Sequence, residues 1–183
     1  MKEIELSKHG TVNKGKYKTL VDDDVFPIVN QWDWTYDNGY AVRSDYSTGK
    51  KMNIHLHRVI WELKKGEIPE GLEVEHKDQN GLNNQISNLR LANRSENACN
   101  IAKYKNNTSG YKGIRKKVDK KKYKNKTYIY TYWYAYIYKN GKEYTKYSPF
   151  TDEGLKEAKE WIKQNSLELH KEFSIYNRDD KDK

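Results

Sequence analysis

The stretch of sequence that decides the fold is GLEVEHKDQNGLNNQISNLRLANRSENACN, residues 71–100. Apolar and charged residues alternate up to His76, an Asn-Gly pair follows as a turn signal, and LRL forms a second short alternating segment. Ser95 is predicted to cap a helix that begins at Glu96. These local rules predict a strand, a loop, a second strand and a helix, which together make a ββα unit.

The predicted ββα unit places the end of its first strand beside the first turn of its helix, where Glu75, His76 and Asn97 would face one point. Phosphodiester hydrolysis needs a base for water and a cation on the phosphate. Histidine that is neutral at pH 7 is the natural base, and Mg²⁺ needs only one or two protein oxygens, here from Glu75 and Asn97. Asn88, at the start of the second strand, is expected to orient the imidazole.

This region closely resembles the HNH nuclease motif, in the form found in phage and intron-encoded homing endonucleases, where Asn replaces the last His. Asn88 lies twelve positions after His76, and Asn97 lies nine positions after Asn88. The match extends upstream through HLHRVIWELKKGEIPEGL to cover roughly residues 54–100. The resemblance implies that His76 is the general base, that Glu75 and Asn97 hold a divalent metal, and that Asn88 orients the histidine. It also implies Mg²⁺, with Mn²⁺ as the alternative, and products that carry 5′-phosphate and 3′-hydroxyl ends.

A second informative stretch is TYIYTYWYAYIY, residues 127–138, in which every even position is Tyr. Alternation this strict predicts a strand with two distinct faces. Asn140-Gly141 predicts a hairpin to a strand over residues 142–147, and an amphipathic helix is predicted to start at Thr151. A three-stranded antiparallel sheet packed on one helix is the simplest assembly.

This second part resembles the AP2 DNA-binding domain, which often follows HNH nucleases of this kind. The matching segments are NNTSGYKGIRKK, YWYAYIYKNGK and SPFTDEGLKEAKEW, within roughly residues 106–173. In that family one sheet face enters the major groove of DNA and the other packs on the helix. The resemblance implies that Trp133, Ala135 and Ile137 face the helix. It implies that DNA is bound by Arg115, Lys117, Tyr132, Tyr134 and Tyr136. Beside the nuclease motif, Arg90 and Arg94 are candidates for phosphate contacts, with a solvated role as the alternative.

Charge is distributed unevenly along the chain. The net charge is +9, and residues 101–150 hold fourteen basic side chains against two acidic ones. Such a local excess favours a polyanionic partner, and no amphipathic helix carries the charge toward a membrane surface. We therefore expect double-stranded DNA as the partner and no membrane association.

Cys99 is the single cysteine of the chain, so we expect no intrachain disulfide and no structural zinc. The N-terminal residues lack an apolar signal core, and the sequence has no run of eighteen apolar residues. These observations lead us to expect a cytoplasmic protein of a bacterium or a phage-infected host cell.

The predicted fold class is α+β, with a different architecture in each part of the chain. We predict a β-rich N-terminal unit that acts as a structural cap, an HNH ββα-metal domain, an AP2-like domain and a charged tail, at residues 1–53, 54–102, 103–175 and 176–183. In the first unit we expect a strand ending at Val21, a short helix capped by Asp22 with Pro27 in its first turn, and a hairpin at Asn38-Gly39.

The leading hypothesis is a metal-dependent endonuclease that nicks or breaks duplex DNA, encoded by a phage or mobile element as a homing endonuclease. Glu75 stands where the family usually has Asp, which keeps open an alternative, a catalytically impaired AP2-type DNA-binding regulator. A third hypothesis is an RNA-binding protein that stacks bases on its Tyr-rich face. We expect a monomer and leave a homodimer open.

Overall fold

The computed structural model describes residues 1–9, 13–100, 107, 109–139 and 141–177. Its strands and α-helices follow in the order β1 (Lys2–Glu5), β2 (Lys18–Val21), α1 (Phe26–Val29), β3 (Thr35–Asp37), β4 (Tyr40–Asp45), β5 (Met52–His55), α2 (Leu56–Lys65), β6 (Leu72–His76), β7 (Leu89–Asn93), α3 (Arg94–Asn100), β8 (Ile114–Tyr123), β9 (Lys126–Lys139), β10 (Lys142–Pro149) and α4 (Asp152–His170). Small antiparallel sheets mixed with helices confirm the predicted α+β class. The chain divides into two compact units, Met1–Asn97 and Ala98–Lys183. Residues 178–183 of the predicted charged tail and Asn140 of the predicted turn lie outside the described residues.

The first unit is organised around one hydrophobic core that runs through both its N-terminal part and its ββα part. The buried side chains of this core include Ile4, Val21, Trp34, Leu56, Ile60, Val74 and Leu89. Strand β1 pairs with β2, and β4 lies between β3 and β5. Because the same core joins residues before and after position 53, the N-terminal residues support the ββα unit directly. The domain boundaries stay predictions.

The N-terminal elements follow their local sequence signals with one exception. Asn38 and Gly39 have positive φ angles of 47° and 92° and join β3 to β4, which confirms the predicted hairpin. Pro27 lies in the first turn of α1, also as predicted, but the cap predicted at Asp22 is wrong. Val25 is the N-cap residue, and no side chain caps the helix. The Asp22 carboxylate instead accepts a hydrogen bond of 2.7 Å from the backbone N–H of Ile86.

The predicted ββα unit is present in the structure. Strands β6 and β7 pair antiparallel, with His76 opposite Leu89, and α3 follows β7 directly. The cap predicted at Ser95 is wrong, because Asn93 receives the backbone N–H groups of Ser95 and Glu96 on its side-chain oxygen. Glu96 in turn accepts the backbone N–H of Asn93 at 2.9 Å. This reciprocal capping box starts the helix earlier than the sequence prediction.

The second unit contains a three-stranded antiparallel sheet in the order β10-β9-β8, packed on α4. Ala135 and Ile137 are buried against Ala158 and Ile162 of the helix, and Trp133 packs beside them, which confirms the predicted helix-facing side of β9. Thr151 caps α4 by accepting a hydrogen bond from the Gly154 N–H. The predicted sheet and helix are therefore present, and the AP2 assignment stays a prediction. Among the described helices, none is long and apolar enough to cross a membrane.

Replacing Gly154 by Ala is expected to destabilise the second unit, although alanine ordinarily favours a helix over glycine by about 1 kcal/mol. A Cβ atom at Gly154 would lie 2.0 Å from the backbone oxygen of Pro149. The backbone would have to shift, and overpacking of this kind typically costs about 1–3 kcal/mol. Hydrogen exchange of peptides covering α4 should be faster than in the wild type. Gln164→Ala, at an exposed position of the same helix, is the control and should leave exchange unchanged. Slower exchange in Gly154→Ala would contradict the prediction.

Candidate active site

His76 ends strand β6 and lies in a small cluster of aromatic rings. Its side chain is buried, with 6% of the residue exposed. The ring centroids of His57 and Tyr40 lie 4.9 Å and 5.9 Å from that of His76. His55 completes the cluster, 5.3 Å from His57 between ring centroids. Three elements, β4, the β5–α2 junction and β6, thus bring their side chains around one imidazole.

Asn84 makes the hydrogen bond that orients the His76 ring. The His76 Nε2 and Asn84 Oδ1 atoms are 3.1 Å apart, and both residues are buried. The Asn84 amide nitrogen donates to Thr19 Oγ1 at 2.7 Å and to the Gly81 carbonyl at 3.2 Å, so its oxygen must be the atom that faces His76. An oxygen there requires a proton on Nε2. In the neutral ring, Nδ1 is then the atom that can accept a proton.

Strand β2 of the N-terminal part holds Asn84 in place. Leu20 accepts the backbone N–H of Asn84 at 2.9 Å and donates its own N–H to the Leu82 carbonyl at 2.8 Å. The Thr19 hydroxyl donates to the same carbonyl at 2.9 Å. The segment between β6 and β7 is therefore held as if it were a short extra strand beside β2, which gives the N-terminal part a direct role in building the site.

Burial keeps the two central histidines neutral at physiological pH. Desolvation lowers the pKa of His76, and this effect is opposed by the hydrogen bond to Asn84 and by the charge of Asp78. Desolvation, followed by the neighbouring His76 and His55, lowers the pKa of His57 to about 3. Neutral imidazole is the form that accepts a proton, so the environment holds His76 in the state that a general base requires.

Tyr40 reaches the histidine cluster because residue 81 is glycine. A Cβ atom at Gly81 would lie 2.4 Å from the Gly39 carbonyl oxygen and 2.7 Å from Cδ1 of Tyr40. The hairpin turn and the loop after β6 can approach this closely only without a side chain at that position. Gly81 thereby seats the Tyr40 ring over His55, His57 and His76.

Glu75 is buried beside His76 and forms an ion pair with Arg90 across the β6–β7 ladder. The Glu75 Oε1 and Arg90 Nε atoms are 2.5 Å apart, and Glu75 is 5% exposed. The sequence suggested Arg90 as a phosphate contact, whereas in the structure its guanidinium neutralises the carboxylate next to the histidine. Arg94, the other candidate, is exposed at the first position of α3.

Asn97 lies on α3 and donates a hydrogen bond of 3.1 Å from Nδ2 to Glu73 Oε2. Glu73 and Glu75 alternate with Val74, so both carboxylates project from the same face of β6. Within the described ranges, no group of three or more His, Cys, Asp or Glu side chains is arranged to hold a metal ion. One carboxylate from Glu75 and the amide oxygen of Asn97 are still a suitable donor set for a hard divalent cation, because phosphate and water complete its coordination.

Asn88 supports the loop instead of contacting the imidazole through its side chain. Its amide nitrogen donates to Asp78 Oδ1 at 2.9 Å and to the Asn83 carbonyl at 2.8 Å. Its amide oxygen accepts the backbone N–H of Asp78 at 3.2 Å. Asp78 also accepts hydrogen bonds from Asn80 and Asn83. Asn88 thus closes the loop that carries Asn84, and the contact that the sequence assigned to Asn88 is made by Asn84.

The five predicted DNA-contacting residues of the second unit share one sheet face. Arg115 is opposite Tyr134 in the β8–β9 ladder, and Lys117 is opposite Tyr132. The Arg115 guanidinium lies 5.0 Å from the ring centre of Tyr134 and 5.2 Å from that of Tyr136. Lys117 Nζ lies 4.8 Å from the ring centre of Tyr134. These cation–π contacts make a surface of stacked rings and cations.

Two carboxylates interrupt that face. The Tyr132 hydroxyl donates to Asp119, and this hydrogen bond is the main cause that raises the pKa of Tyr132 to about 12. The Tyr134 hydroxyl donates to Glu143 at 2.9 Å. Burial and that bond together raise the pKa of Tyr134 to about 12. Both tyrosines therefore stay protonated and hold the acidic side chains against the sheet.

Sequence reasoning missed Asn84, Tyr40 and the pairing of Arg90 with Glu75. Asn84 belongs to the Asn-rich segment NGLNN, and nothing in that pattern separates a buried orienting amide from a turn residue. Tyr40 belongs to a hairpin that the sequence assigned to structural support. The ion pair between Glu75 and Arg90 could have been predicted from the antiparallel register, because the two residues are directly opposite each other on β6 and β7.

Acid should destabilise the first unit through His57. Its pKa is about 3 in the folded state and 6.5 in the unfolded chain, so below pH 6.5 the unfolded state binds the proton first. The contribution of His57 to stability is fully present above about pH 6.5. The free energy of unfolding should fall by about 1.4 kcal/mol per pH unit as the pH drops from there toward 3. Urea unfolding at several pH values measures this slope. Replacing Trp133 and Trp161 by Phe restricts tryptophan fluorescence to the first unit.

The matched variant is His57→Gln, which removes the titrating group. Its stability at pH 7 is free to differ, because only the slope is compared. The slope between pH 6.5 and 4.5 should be smaller than in the parent by about 1.4 kcal/mol per pH unit. Equal slopes in the two proteins would show that His57 does not titrate in this range.

Comparison with known proteins places this site in a family. The family model for HNH endonuclease matches residues 55–99, which span α2 and the ββα unit. Protein 3.8 of Escherichia phage T7 is 33% identical over 120 residues, covering 66% of this chain and 88% of the phage protein. A protein of Acanthamoeba polyphaga mimivirus, called uncharacterized HNH endonuclease L560, is 41% identical over 105 residues, which are 56% of this chain and 51% of that protein. No solved structure matches.

The matched residues include most of those that form the His76 site, with Thr19 and Tyr40 outside the match. Residues 55–99 contain the three histidines of the cluster, the loop with Asn84 and Asn88, and Asn97 on α3. The resemblance predicted from the motif is thereby confirmed, and residues 55–99 of this chain form an HNH endonuclease domain.

Proposed function

We propose that this protein is a metal-dependent endonuclease that hydrolyses phosphodiester bonds in duplex DNA, with His76 as the general base. The observation that carries the proposal is the hydrogen bond between His76 Nε2 and Asn84 Oδ1, 3.1 Å long and buried. It leaves Nδ1 as the proton-accepting atom of a neutral ring. A base with a defined tautomer beside a carboxylate and an amide suits hydrolysis by an activated water molecule.

The proposed reaction is a single displacement at phosphorus. His76 Nδ1 takes a proton from a water molecule as its oxygen forms a bond to phosphorus, and the bond from phosphorus to the 3′ oxygen breaks. Solvent protonates the departing oxygen, which leaves a 5′-phosphate and a 3′-hydroxyl. The imidazolium that results is stabilised by its bond to Asn84 and by the nearby charge of Asp78, both of which favour the protonated ring.

HNH nucleases generally use a divalent metal, and in this chain Glu75 and Asn97 are the residues that would hold it. Their carboxylate and amide oxygens suit Mg²⁺ or Mn²⁺. When bound, such a cation supplies Lewis-acid stabilisation of the charge that develops on the phosphate. Asn97 presents Nδ2 to Glu73, which turns its oxygen away from that carboxylate. Loss of the oxygen ligand at residue 75 or 97 should weaken metal binding more than it weakens DNA binding.

The sheet face of the second unit is the proposed DNA-binding surface. Arg115 and Lys117 supply charge, and the tyrosine rings at positions 132, 134 and 136 supply area for stacking and hydrogen bonding. Asp119 and Glu143, held on that face by tyrosine hydroxyls, would repel phosphates and accept hydrogen bonds from base amino groups. Beside the nuclease motif, Arg90, which pairs with Glu75, and the exposed Arg94 remain the proposed phosphate contacts.

A second candidate function is DNA binding without cleavage, as in a regulator. The pairing of Glu75 with Arg90 favours it, because a neutralised carboxylate binds a cation less well than a free one. Both relatives are encoded by viruses. This origin supports a phage or mobile-element source, and we extend the proposal to a homing role, which requires cleavage at one preferred site.

Metal-dependent cleavage is the first test. With Mg²⁺ and supercoiled plasmid or source-genome DNA, the wild type should cut and EDTA should abolish cutting. His76→Ala should lower the rate by about 10²–10⁴-fold, because a general base contributes that much. Asn97→Ala should raise the Mg²⁺ concentration needed for half-maximal rate, whereas Asn97→Asp keeps an oxygen ligand and serves as its control. His9→Ala, a variant of a histidine with a largely exposed side chain, should cut like the wild type.

The outcomes separate the candidates. Full activity in His76→Ala would refute the assignment of the general base. Tight binding of duplex DNA without cleavage by the wild type would favour the regulator, and preference for single-stranded RNA would favour the third hypothesis. If DNA ligase joins the cut ends without prior treatment by a kinase or a phosphatase, the ends carry 5′-phosphate and 3′-hydroxyl groups.

Asn84 and Asn88 should affect the rate differently. Asn84→Ala removes the partner that orients His76 and should lower kcat by about 10–100-fold, the typical effect of losing such a partner. Asn88→Ala leaves the bond between His76 and Asn84 in place and weakens the loop, so its main effect should be on thermal stability. Measuring kcat and Tm for both variants tests this division. A larger loss of kcat in Asn88→Ala at equal Tm would reverse the two roles.

A further inference from the structure

The β8–β9 hairpin extends well beyond the rest of its sheet. The two strands pair from Ile114 opposite Ala135 to Tyr123 opposite Lys126. In the described part of the chain, β10 pairs only with residues 132–139 of β9. The outer six pairs, Val118–Tyr123 with Lys126–Thr131, therefore form a two-stranded projection, which we call the arm.

The arm exposes both of its faces. Every residue from 120 to 130 is exposed, including Ile129 at 63% and Tyr123 at 65%. The helix-facing core of the second unit, with Ile114 and Ala135 at its centre, ends before the arm begins. A two-stranded hairpin without a third strand or a covering helix is marginally stable in water. The arm buries little apolar surface, so its side chains are exposed to a binding partner on both faces.

The charge of the arm is strongly positive. It carries five lysines, at positions 120, 121, 122, 124 and 126, against the single acidic residue Asp119. The carboxylate of Asp119 is engaged by the hydroxyl of Tyr132. Lys120 and Lys122 project from one face of the arm, and Lys121 from the other. With lysines on both faces, the arm is complementary in charge to a partner whose surface is negatively charged along its whole length.

We propose that the arm binds the backbone phosphates of duplex DNA outside the segment contacted by the sheet face, and so lengthens the DNA site. This inference rests on the proposed DNA binding of the second unit. Six residue pairs at about 3.4 Å each span roughly 20 Å, which corresponds to about six base pairs of duplex. Lysine contributes charge without the forked geometry of arginine, so these contacts position the DNA and add no base discrimination.

The decisive variant shortens the arm while it keeps the sheet and helix. Replacing residues 120–129 with Asn-Gly closes the hairpin at Asp119 opposite Tyr130, four positions from the present closing pair, so the pairing type is conserved. All five arm lysines are removed. Lys121→Gln combined with Lys126→Gln, on the face of the arm that continues the face of Arg115 and Lys117, tests the same surface without a change in length. Lys156→Gln combined with Lys163→Gln, on exposed positions of α4, is the matched control.

Binding to random-sequence duplexes of about 12 and about 30 base pairs is measured in EDTA by fluorescence anisotropy at several salt concentrations, because only the longer duplex leaves ample room for the roughly six base pairs that the arm would add. Removal of one phosphate contact should reduce the slope of log Kobs against log salt by about 0.9, so shortening the arm should reduce it by up to about 4.5 and the Lys121/Lys126 variant by about 1–2. The affinity should decrease more on the longer duplex. The α4 variant should match the wild type.

An unchanged slope in the shortened-arm variant, with the wild type binding well, would overturn the arm inference and leave the proposed function intact. An equal reduction of the slope in the α4 variant would also overturn the arm inference, because the effect would then reflect the total charge and not the position of the lysines. Failure of the wild type to bind either duplex would instead overturn the proposed DNA binding. Circular dichroism of each variant establishes that the sheet and helix have formed.

Discussion

The hydrogen-bond chain from Thr19 through Asn84 to His76 is the interaction on which the rest of the site depends. A buried amide with both donors satisfied has one orientation, and that orientation sets the tautomer of the His76 ring. Strand β2, the loop after β6 and the histidine cluster have to be in place together for the chain to exist. The N-terminal residues therefore belong to the same compact unit as the nuclease motif, and residues 1–97 share one hydrophobic core.

Electrostatic balance around His76 is a compromise between burial and charge. Desolvation favours the neutral ring, whereas Asn84 and Asp78 favour the protonated ring. Arg90 neutralises the buried Glu75, which avoids the cost of an isolated carboxylate in a dry environment. Glu75 in place of aspartate extends the carboxylate toward the arginine, so the departure from the family pattern has a partner in the strand opposite.

The regular parts of this protein could be predicted from sequence because their signals are local. Asn38-Gly39, the alternation before His76 and the tyrosine alternation of β9 each determine a turn or a strand within a few residues. The helix caps at Val25 and Asn93 were mispredicted because a nearby polar residue offered an equally good local cap. Asn84 and Tyr40 could not be predicted, since their roles depend on contacts with residues distant in sequence. The spacing of His76, Asn88 and Asn97 identified the family, whereas the orienting contact required the fold.

The distance along the chain between Thr19 and Asn84 has a consequence for when the protein becomes active. Those residues are 65 positions apart, whereas the β6–β7 pairing and the turns that precede it close over short separations. Contacts between distant residues form late, because loop-closure entropy opposes them until other interactions are in place. A newly made chain would thus form its strands and helix first and acquire an oriented histidine last. Partly folded molecules would carry the nuclease motif without an oriented His76.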